Sequence, residues 1–174
     1  MKKQYQTRKL QLKNMIEKTI ETKISVYKFE ELSAEFQMLI ERAKEQVINA
    51  YAPYSEFHVG AAVQLENDEI FTGSNQENSA YPSGLCAERV AMFYANSQYP
   101  RVPVKTLAIA AFTKGSFLAD PVTPCGSCRQ VLLETETRFE KDITILLYGT
   151  EYVYKINNVK QLLPLCFEKS SLSR

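Results

Sequence analysis

The chain of 174 residues predicts an α/β fold in which helices cover both faces of a central sheet. This length is typical of one domain and allows a substantial buried core. Hydrophobic residues make up 45% of the chain, which excludes a compositionally disordered protein. Segments with helical spacing of apolar residues alternate with short apolar runs, the pattern of a sheet flanked by helices.

Four segments are predicted to be helical. Residues 29–51 carry apolar side chains at three- and four-residue steps, and Pro53 ends this pattern. Residues 86–96 and 127–139 have the same spacing, and proline precedes each of them as a helix start signal. A short final helix is expected over residues 159–163.

Apolar runs and alternating segments predict the strands. Residues 106–112 are almost continuously apolar, which is typical of a strand covered on both faces. Residues 24–27 alternate and indicate a short edge strand, whereas residues 115–124 are expected to form a loop. The main strands are expected at residues 58–65, 70–72, 106–112, 143–148 and 152–156.

Charge divides the chain into two parts. Residues 1–28 contain eight basic and two acidic residues, a net charge of +6, and the remainder carries −5. A basic arm could touch nucleic acid, but a solvated, partly disordered terminus is the favoured interpretation. We therefore expect a basic extension over residues 1–28 before a single catalytic domain over residues 29–174. Met15 is a second possible start of the protein.

The whole chain has a net charge of +1, which gives no argument for a nucleic-acid or membrane partner. No apolar run approaches the length of a membrane span, and no secretory signal is visible at the start. We therefore expect a cytoplasmic protein without a nucleic-acid or membrane partner. In that compartment the four cysteines are more readily reduced thiols or metal ligands than disulfides.

Three cysteines lie where two of the predicted helices begin. Cys86 opens the motif Cys-Ala-Glu-Arg, and Cys125 and Cys128 belong to the motif Pro-Cys-Gly-Ser-Cys-Arg at residues 124–129. A helix start stabilises thiolates through its exposed amides and its dipole. If the two helix starts meet, three sulfurs can bind one zinc ion and leave a fourth position for water, the catalytic arrangement of zinc.

Three charged residues follow these cysteines closely. Glu88 lies two residues after Cys86, so its carboxylate can reach a water at the open position and take its proton without being a ligand. Arg89 and Arg129 directly follow the two motifs and could donate hydrogen bonds to the sulfurs. Taken alone, each arginine is equally compatible with an ordinary surface position.

Four motifs together resemble the cytidine deaminase family. They are the two cysteine motifs, the stretch from Ala52 to Ala62, and the stretch from Asn75 to Pro82, and the resemblance runs from about Phe36 to Phe167. It implies a three-layer α-β-α sandwich with a mixed five-stranded sheet. It also implies hydrolytic deamination of cytidine and deoxycytidine to uridine and deoxyuridine, with release of ammonia, in pyrimidine salvage.

The resemblance assigns roles at the metal. Cys86, Cys125 and Cys128 would bind one Zn²⁺ per subunit, Glu88 would shuttle protons, and Arg89 would hydrogen-bond a thiolate.

The resemblance also assigns roles in binding a small nucleoside. Asn75 and Glu77 would hydrogen-bond the ribose hydroxyl, and Phe57 would pack against the base. The backbone of Ala87 would meet the pyrimidine edge. Tyr81 and Phe167 match positions that reach into a neighbouring subunit in the small homotetrameric members, so a homotetramer with shared sites is expected.

The cysteines allow two other interpretations. A structural zinc module would take Cys166 as the fourth ligand, but such sites often use two Cys-x-x-Cys knuckles and this chain has one. A thiol redox protein would use Cys125 and Cys128 and would leave Cys86 and Glu88 without a role.

Two other deaminases share the metal motifs. An enzyme that edits RNA or DNA needs a basic groove, and the net charge of −5 over residues 29–174 argues against one. A deaminase of a nucleoside-like antibiotic would not need the pattern of Asn75 and Glu77. Among the enzymes considered, this antibiotic deaminase ranks second after a cytidine deaminase.

Overall fold

The computed structural model describes residues 16–172, so the possible start at Met15 and the first half of the basic extension lie outside the described residues. Within this range there are three α-helices: α1 (Ala34–Glu45), α2 (Ala87–Gln98) and α3 (Gly126–Phe139). The strands are β1 (Ser25–Tyr27), β2 (His58–Leu65), β3 (Ile70–Ser74), β4 (Val104–Thr113), β5 (Ser116–Phe117), β6 (Thr144–Tyr148) and β7 (Val153–Ile156). None of the helices in this range has both the length and the apolar character that a membrane crossing requires.

The strands form one mixed sheet in the order β1-β7-β6-β4-β2-β3, with β5 paired to β4. Only the β4–β6 pair is parallel among the pairs of this described sheet. The expected count of five strands is wrong, since the sheet has seven. β1 pairs with the otherwise open edge of β7, and β5 lies in the segment predicted to be a loop.

The turn before β5 explains why the sequence did not indicate a hairpin. Lys114 and Gly115 have φ values of 50° and 82°, as the two central residues of a type I′ turn require. Lysine is uncommon in that conformation, so the local sequence lacks the usual Asn-Gly or Asp-Gly signal.

The predicted helix over residues 29–51 is interrupted. Leu32 is extended, with φ −78° and ψ 155°, and α1 begins after Ser33, whose hydroxyl accepts a hydrogen bond from the backbone N–H of Phe36. Single 3₁₀ turns occupy Phe29–Glu31 and Gln46–Asn49. The predicted final helix is likewise only a 3₁₀ turn, Val159–Gln161.

The helices lie in two layers, one on each face of the sheet. Because successive residues of a strand point to opposite faces, β2 and β4 contribute to both cores. One core packs α1 against the sheet through Leu39, Ile40, Ala43, Ala62, Ala108, Ala110 and Leu146. The other packs α2 and α3 against it through Ala91, Met92, Leu132, Leu133, Val63, Leu107, Ile109 and Ile145. The predicted three-layer α-β-α sandwich is confirmed.

Gly73 on β3 allows α2 to touch the sheet backbone. A Cβ atom at this position would lie 2.6 Å from the amide nitrogen of Ala91 and 2.9 Å from the carbonyl oxygen of Ala87. No other residue type fits without a shift of backbone atoms, so this contact fixes where the first turn of α2 stands.

Candidate active site

The three cysteine sulfurs predicted to bind a metal lie together. Cys86 and Cys125 immediately precede α2 and α3, and Cys128 is in the first turn of α3. The Sγ atoms of Cys86 and Cys125 are 3.7 Å apart, those of Cys125 and Cys128 are 3.5 Å apart, and all three lie within 4.8 Å of one another. Sulfurs around a tetrahedral zinc ion, each about 2.3 Å from the metal, are about 3.8 Å apart. The two sulfur–sulfur distances at Cys125 are close to this spacing, so the three thiols suit a zinc ion.

Cys166 does not belong to this cluster. Its thiol donates a hydrogen bond to the carbonyl oxygen of Leu163 at 2.6 Å, and the metal-binding group among the described residues consists of the other three cysteines. The described residues therefore do not form a structural zinc site with four cysteine ligands.

The surroundings of the cluster favour negative charge on sulfur. The N-termini of α2 and α3 point their free amides and the positive ends of their dipoles towards it. A hydrogen bond from the Cys128 thiol, together with the Arg89 guanidinium, lowers the pKa of Cys86 to about 5. The same hydrogen bond to Cys86, together with burial, raises the pKa of Cys128. The shared hydrogen bond thus favours a thiolate at Cys86 and a thiol at Cys128.

The two arginines that follow the motifs behave differently. Arg89 directs Nη2 to the Cys86 sulfur at 3.8 Å and to the carbonyl oxygen of Gly84 at 3.5 Å. Arg129 directs its guanidinium to oxygen atoms, at Thr123, Pro124 and Leu162. The idea that Arg129 donates to a sulfur is therefore wrong, because its side chain points to the loop before Cys125 and to the C-terminal segment.

Glu88 lies in the first turn of α2, beside the sulfurs, and only 5% of it is exposed. Burial raises the pKa of this carboxyl, and the negative charge of the Cys86 thiolate raises it further. A carboxyl whose pKa is raised toward neutrality can both accept and return a proton, which is what a general acid–base catalyst needs.

A cavity of about 690 Å³ opens beside the sulfurs, a volume suited to a small-molecule ligand. Its wall joins residues from both ends of the predicted site: Phe57, Asn75, Glu77, Tyr81, Cys86, Glu88, Arg89 and Cys125. Ala87 is fully buried in α2, behind the wall, and Phe167 is 59% exposed and lies outside the wall of this chain's own cavity.

The wall also contains residues that the sequence did not single out for a role. Ile109 of β4 and the pair Val122–Thr123 line the cavity, as do Tyr54 and Ser55, which contact Glu77. Tyr54 and Ser55 belong to a motif that the sequence did mark, and Thr123 directly precedes Pro124. Ile109 had no local signal, because a buried strand residue that lines a cavity has the same apolar character as any other core residue.

Glu77 and Asn75 shape the end of the cavity away from the sulfurs. The carboxylate of Glu77 accepts hydrogen bonds from the backbone N–H of Tyr54 at 2.9 Å and of Ser55 at 3.3 Å, and from the Ser55 hydroxyl. The Ser55 hydroxyl bond and the Tyr54 backbone bond lower the pKa of Glu77. This carboxylate is therefore a permanent hydrogen-bond acceptor.

Asn75 is held in a similar way by the next part of the chain. Its Oδ1 accepts from the backbone N–H of Val59 at 2.8 Å, and its Nδ2 donates to the carbonyl oxygen of Phe57 at 2.9 Å. One amide hydrogen and further lone pairs are left for a ligand. Both polar side chains thus hold residues 54–59 in place and keep capacity to bind a hydroxyl.

Comparisons with known proteins agree with this geometry. A profile of the family described as "Cytidine and deoxycytidylate deaminase zinc-binding region" matches residues 34–141. The chain is 41% identical over 137 residues to a cytidine deaminase of Sporosarcina psychrophila, an alignment that covers 79% of this chain and 94% of that protein. A cytidine deaminase of Halalkalibacterium halodurans is 37% identical, with 79% and 97% covered.

Solved structures give the same result. A crystal structure of cytidine deaminase from Burkholderia pseudomallei aligns with a TM-score of 0.64 and 35% identity, covering 78% of this chain and 100% of that one. That of cytidine deaminase from Mycobacterium tuberculosis aligns with a TM-score of 0.62 and 32% identity, covering 78% and 99%. With its cysteine cluster, its cavity and these matches, the chain belongs to the zinc-binding cytidine and deoxycytidylate deaminase family.

Proposed function

We propose that this protein is a cytidine deaminase, which hydrolyses the 4-amino group of cytidine and deoxycytidine to give uridine and deoxyuridine plus ammonia. The observation that carries the proposal is one cavity that meets the three-cysteine cluster through Cys86 and Cys125, beside Glu88, and is also lined by Asn75 and Glu77. The cysteine cluster and Glu88 suit hydrolysis at a metal, and Asn75 and Glu77 suit recognition of a sugar hydroxyl. The cytidine deaminases to which the chain is similar support the same substrate class.

Cys86, Cys125 and Cys128 would hold one zinc ion per subunit, which supplies a Lewis acid that makes water nucleophilic at neutral pH. Glu88 takes a proton from the attacking water and delivers it to N3 of the base, while C4 becomes tetrahedral. Glu88 then takes the proton of the new C4 hydroxyl and passes it to the 4-amino nitrogen. The C4–N bond breaks, C4 becomes a carbonyl, and the amino group leaves as ammonia. The buried position and raised pKa of Glu88 suit a group that accepts and returns a proton in each of these two steps.

The rest of the cavity would hold the nucleoside. Asn75 and Glu77 hydrogen-bond a ribose hydroxyl with the capacity that their contacts within the chain leave over. Phe57 packs against the base. The backbone of Ala87, at the start of α2, meets the edge of the pyrimidine.

We further propose that the protein is a homotetramer with sites shared between subunits. Tyr81 is 78% exposed at the mouth of the cavity, Leu165 is 81% exposed, and Phe167 is 59% exposed. Large apolar side chains left in water near a cavity are typical of an interaction surface. In the assembly, Tyr81 and Phe167 reach the cavity of the neighbouring subunit.

The placement in the cell follows from the substrate. A deaminase of free nucleosides serves pyrimidine salvage, and we place it in the cytoplasm. We also keep the division into a basic extension over residues 1–28 and a catalytic domain over residues 29–174, which is supported by the start of the family match at residue 34.

The direct test is to incubate the purified protein with cytidine and with deoxycytidine and to follow ammonia and the uracil nucleoside. We expect stoichiometric release of both products, loss of activity with a zinc chelator, and recovery when zinc is added back. Analytical ultracentrifugation of the same sample tests the tetramer. Zinc-loaded protein that turns over neither nucleoside would refute the proposed activity.

A further inference from the structure

Arg129 is the residue around which the loop before α3 and the C-terminal segment meet. It follows Cys128 in the first turn of α3 and uses all three of its side-chain nitrogens. Nε donates to the carbonyl oxygen of Pro124 at 2.8 Å, Nη1 to the carbonyl oxygen of Leu162 at 2.7 Å, and Nη2 to the Thr123 hydroxyl at 3.0 Å.

These bonds hold Cys125 from both sides. The carbonyl of Pro124 belongs to the peptide that joins it to Cys125, so the guanidinium fixes the plane of that peptide. On the other side of Cys125, the backbone N–H of Arg129 donates to the Cys125 carbonyl at 2.9 Å. Pro121 and Pro124 have no amide hydrogen, so the loop before α3 has two fewer backbone donors with which to hold itself in place.

Cys125 needs such support more than its neighbours do. Cys128 is buried within α3, and Cys86 is half-buried beside Arg89, whereas Cys125 is exposed. A metal site requires its ligands to be held in place by the groups around them. The Arg129 guanidinium ties this loop to Leu162, which lies 33 residues after Arg129 in the chain.

The C-terminal segment over residues 159–167 is held to α3 at two further points. The Gln130 side chain donates from Nε2 to the carbonyl oxygen of Phe167 at 2.9 Å. Oε1 of the buried Glu136 accepts from the backbone N–H of Val159 at 2.8 Å. The segment that carries Phe167 is therefore fixed to the same helix that presents two of the sulfurs.

From this geometry we infer that Arg129 is a positioning residue that sets the Cys125 sulfur for metal binding and joins the metal site to the C-terminal segment. The inference rests on the proposed function in one respect, that Cys125 is a metal ligand. Three acceptors in three directions suit the planar fork of arginine, and a lysine ammonium at the end of a flexible chain cannot reproduce them.

The test is the variant Arg129→Lys, which keeps the charge and loses the fork. Arg138→Lys is the matched control, since Arg138 lies on the same helix and is exposed, with its guanidinium bonded to the carbonyl oxygen of Pro100. We expect Arg129→Lys to bind zinc about 10- to 100-fold more weakly in competition with a chelating dye. We also expect a changed ligand-field spectrum of the Co²⁺-substituted protein and a lower kcat at nearly constant KM.

A second variant, Thr123→Val, removes one acceptor and keeps the size of the side chain. It should change zinc affinity and the Co²⁺ spectrum in the same direction but by less, and it decides the question if Arg129→Lys does not fold. Zinc affinity and Co²⁺ spectra like those of the wild type in the folded variants would overturn the inference, even if the melting temperature fell. Because these readouts need no substrate, wild-type protein that binds zinc but does not deaminate cytidine would refute only the proposed function.

Discussion

The two ends of the cavity are built in different ways. At the metal end, two helix N-termini bring the sulfurs of Cys86 and Cys128 and the Glu88 carboxylate into a buried or half-buried corner. At the nucleoside end, Asn75 and Glu77 lie between loops, and the neighbouring Tyr81 is exposed. The metal end is therefore enclosed largely by groups of this chain, whereas the nucleoside end is open at its surface.

The pKa values of two carboxyl groups, one at each end of the cavity, are shifted in opposite directions. Burial raises the pKa of Glu88, whereas hydrogen bonds from Ser55 and Tyr54 lower the pKa of Glu77. Two residues with the same side chain in one cavity thus have opposite tendencies. Glu88 is suited to exchange a proton, and Glu77 is suited to stay anionic and accept hydrogen bonds from hydroxyls.

The largest effect is expected from Cys86→Ser, which removes a sulfur from the metal end. A serine hydroxyl is a poor zinc ligand at neutral pH, so both bound zinc and activity should fall to background. Zinc content by elemental analysis and turnover of cytidine check this together. Cys166→Ser is the control, because Cys166 lies outside the cluster and its loss should leave both quantities unchanged. A Cys86→Ser variant with a full complement of zinc would remove Cys86 from the ligand set.

Glu88→Gln should separate chemistry from metal binding at the same end. The amide keeps the size of the side chain but cannot carry a proton, so kcat should fall by about 10²- to 10⁴-fold for each proton transfer involved. Zinc content and melting temperature should stay close to the wild type. Glu134→Gln is the matched control on the exposed face of α3. Near-normal turnover by Glu88→Gln would contradict the assigned role.

Glu77→Gln tests the nucleoside end in the same way. We expect KM to rise by roughly tenfold, the change that one weakened charge-assisted hydrogen bond produces, with a smaller change in kcat and none in zinc content. Steady-state kinetics with cytidine provide both constants. Glu56→Gln in the adjoining loop is the control, since its side chain is exposed. If Glu77→Gln lowered kcat and left KM unchanged, the assignment of nucleoside binding to this end and of chemistry to the metal end would be wrong.

The metal end could be predicted almost completely because its signals are local. Cys86 and Cys125 stand next to helix starts that sequence patterns mark, and their helices begin within one residue of the expected positions. Glu88 follows at a fixed spacing in the same turn. A site made from two such motifs needs only that the two helix starts meet, and the family resemblance implied that they do.

What could not be predicted depends on contacts between distant residues or on single backbone angles. The bond from Arg129 to Leu162 spans 33 residues, so no local pattern marks it. The break before α1 depends on the extended conformation of Leu32, to which helical spacing of apolar residues is insensitive. The bonds of Asn75 and Glu77 to residues 54–59 likewise appear only when two separate motifs are brought together.

The smallest effect is expected from Ser55→Ala, which alters the pKa of Glu77 and leaves the carboxylate in place. The Ser55 hydroxyl bond is the main cause of the lowered pKa, so its loss should move the pKa of Glu77 upward, toward its ordinary value. A lowered pKa favours the folded state above the ordinary pKa, and this contribution is lost as the pH falls through the folded-state pKa. In the variant, Glu77 should therefore gain its proton at a higher pH than in the wild type.

Carboxyl ¹³C NMR of glutamate-labelled protein measures this shift, with the Glu77 signal assigned from its absence in Glu77→Gln. Nucleoside binding can be measured in the Glu88→Gln background, which prevents turnover. As the pH is lowered, binding to Ser55→Ala should begin to weaken at a higher pH than binding to the protein with Ser55. At pH 7 the two affinities should be nearly equal. Ser79→Ala, at an exposed serine beyond Glu77, is the control. An unchanged Glu77 pKa in Ser55→Ala would mean that the backbone N–H groups of residues 54 and 55 hold the carboxylate without help from the hydroxyl. The nucleoside end would then owe its anionic character to main-chain amides, as the metal end owes part of its own to the helix N-termini.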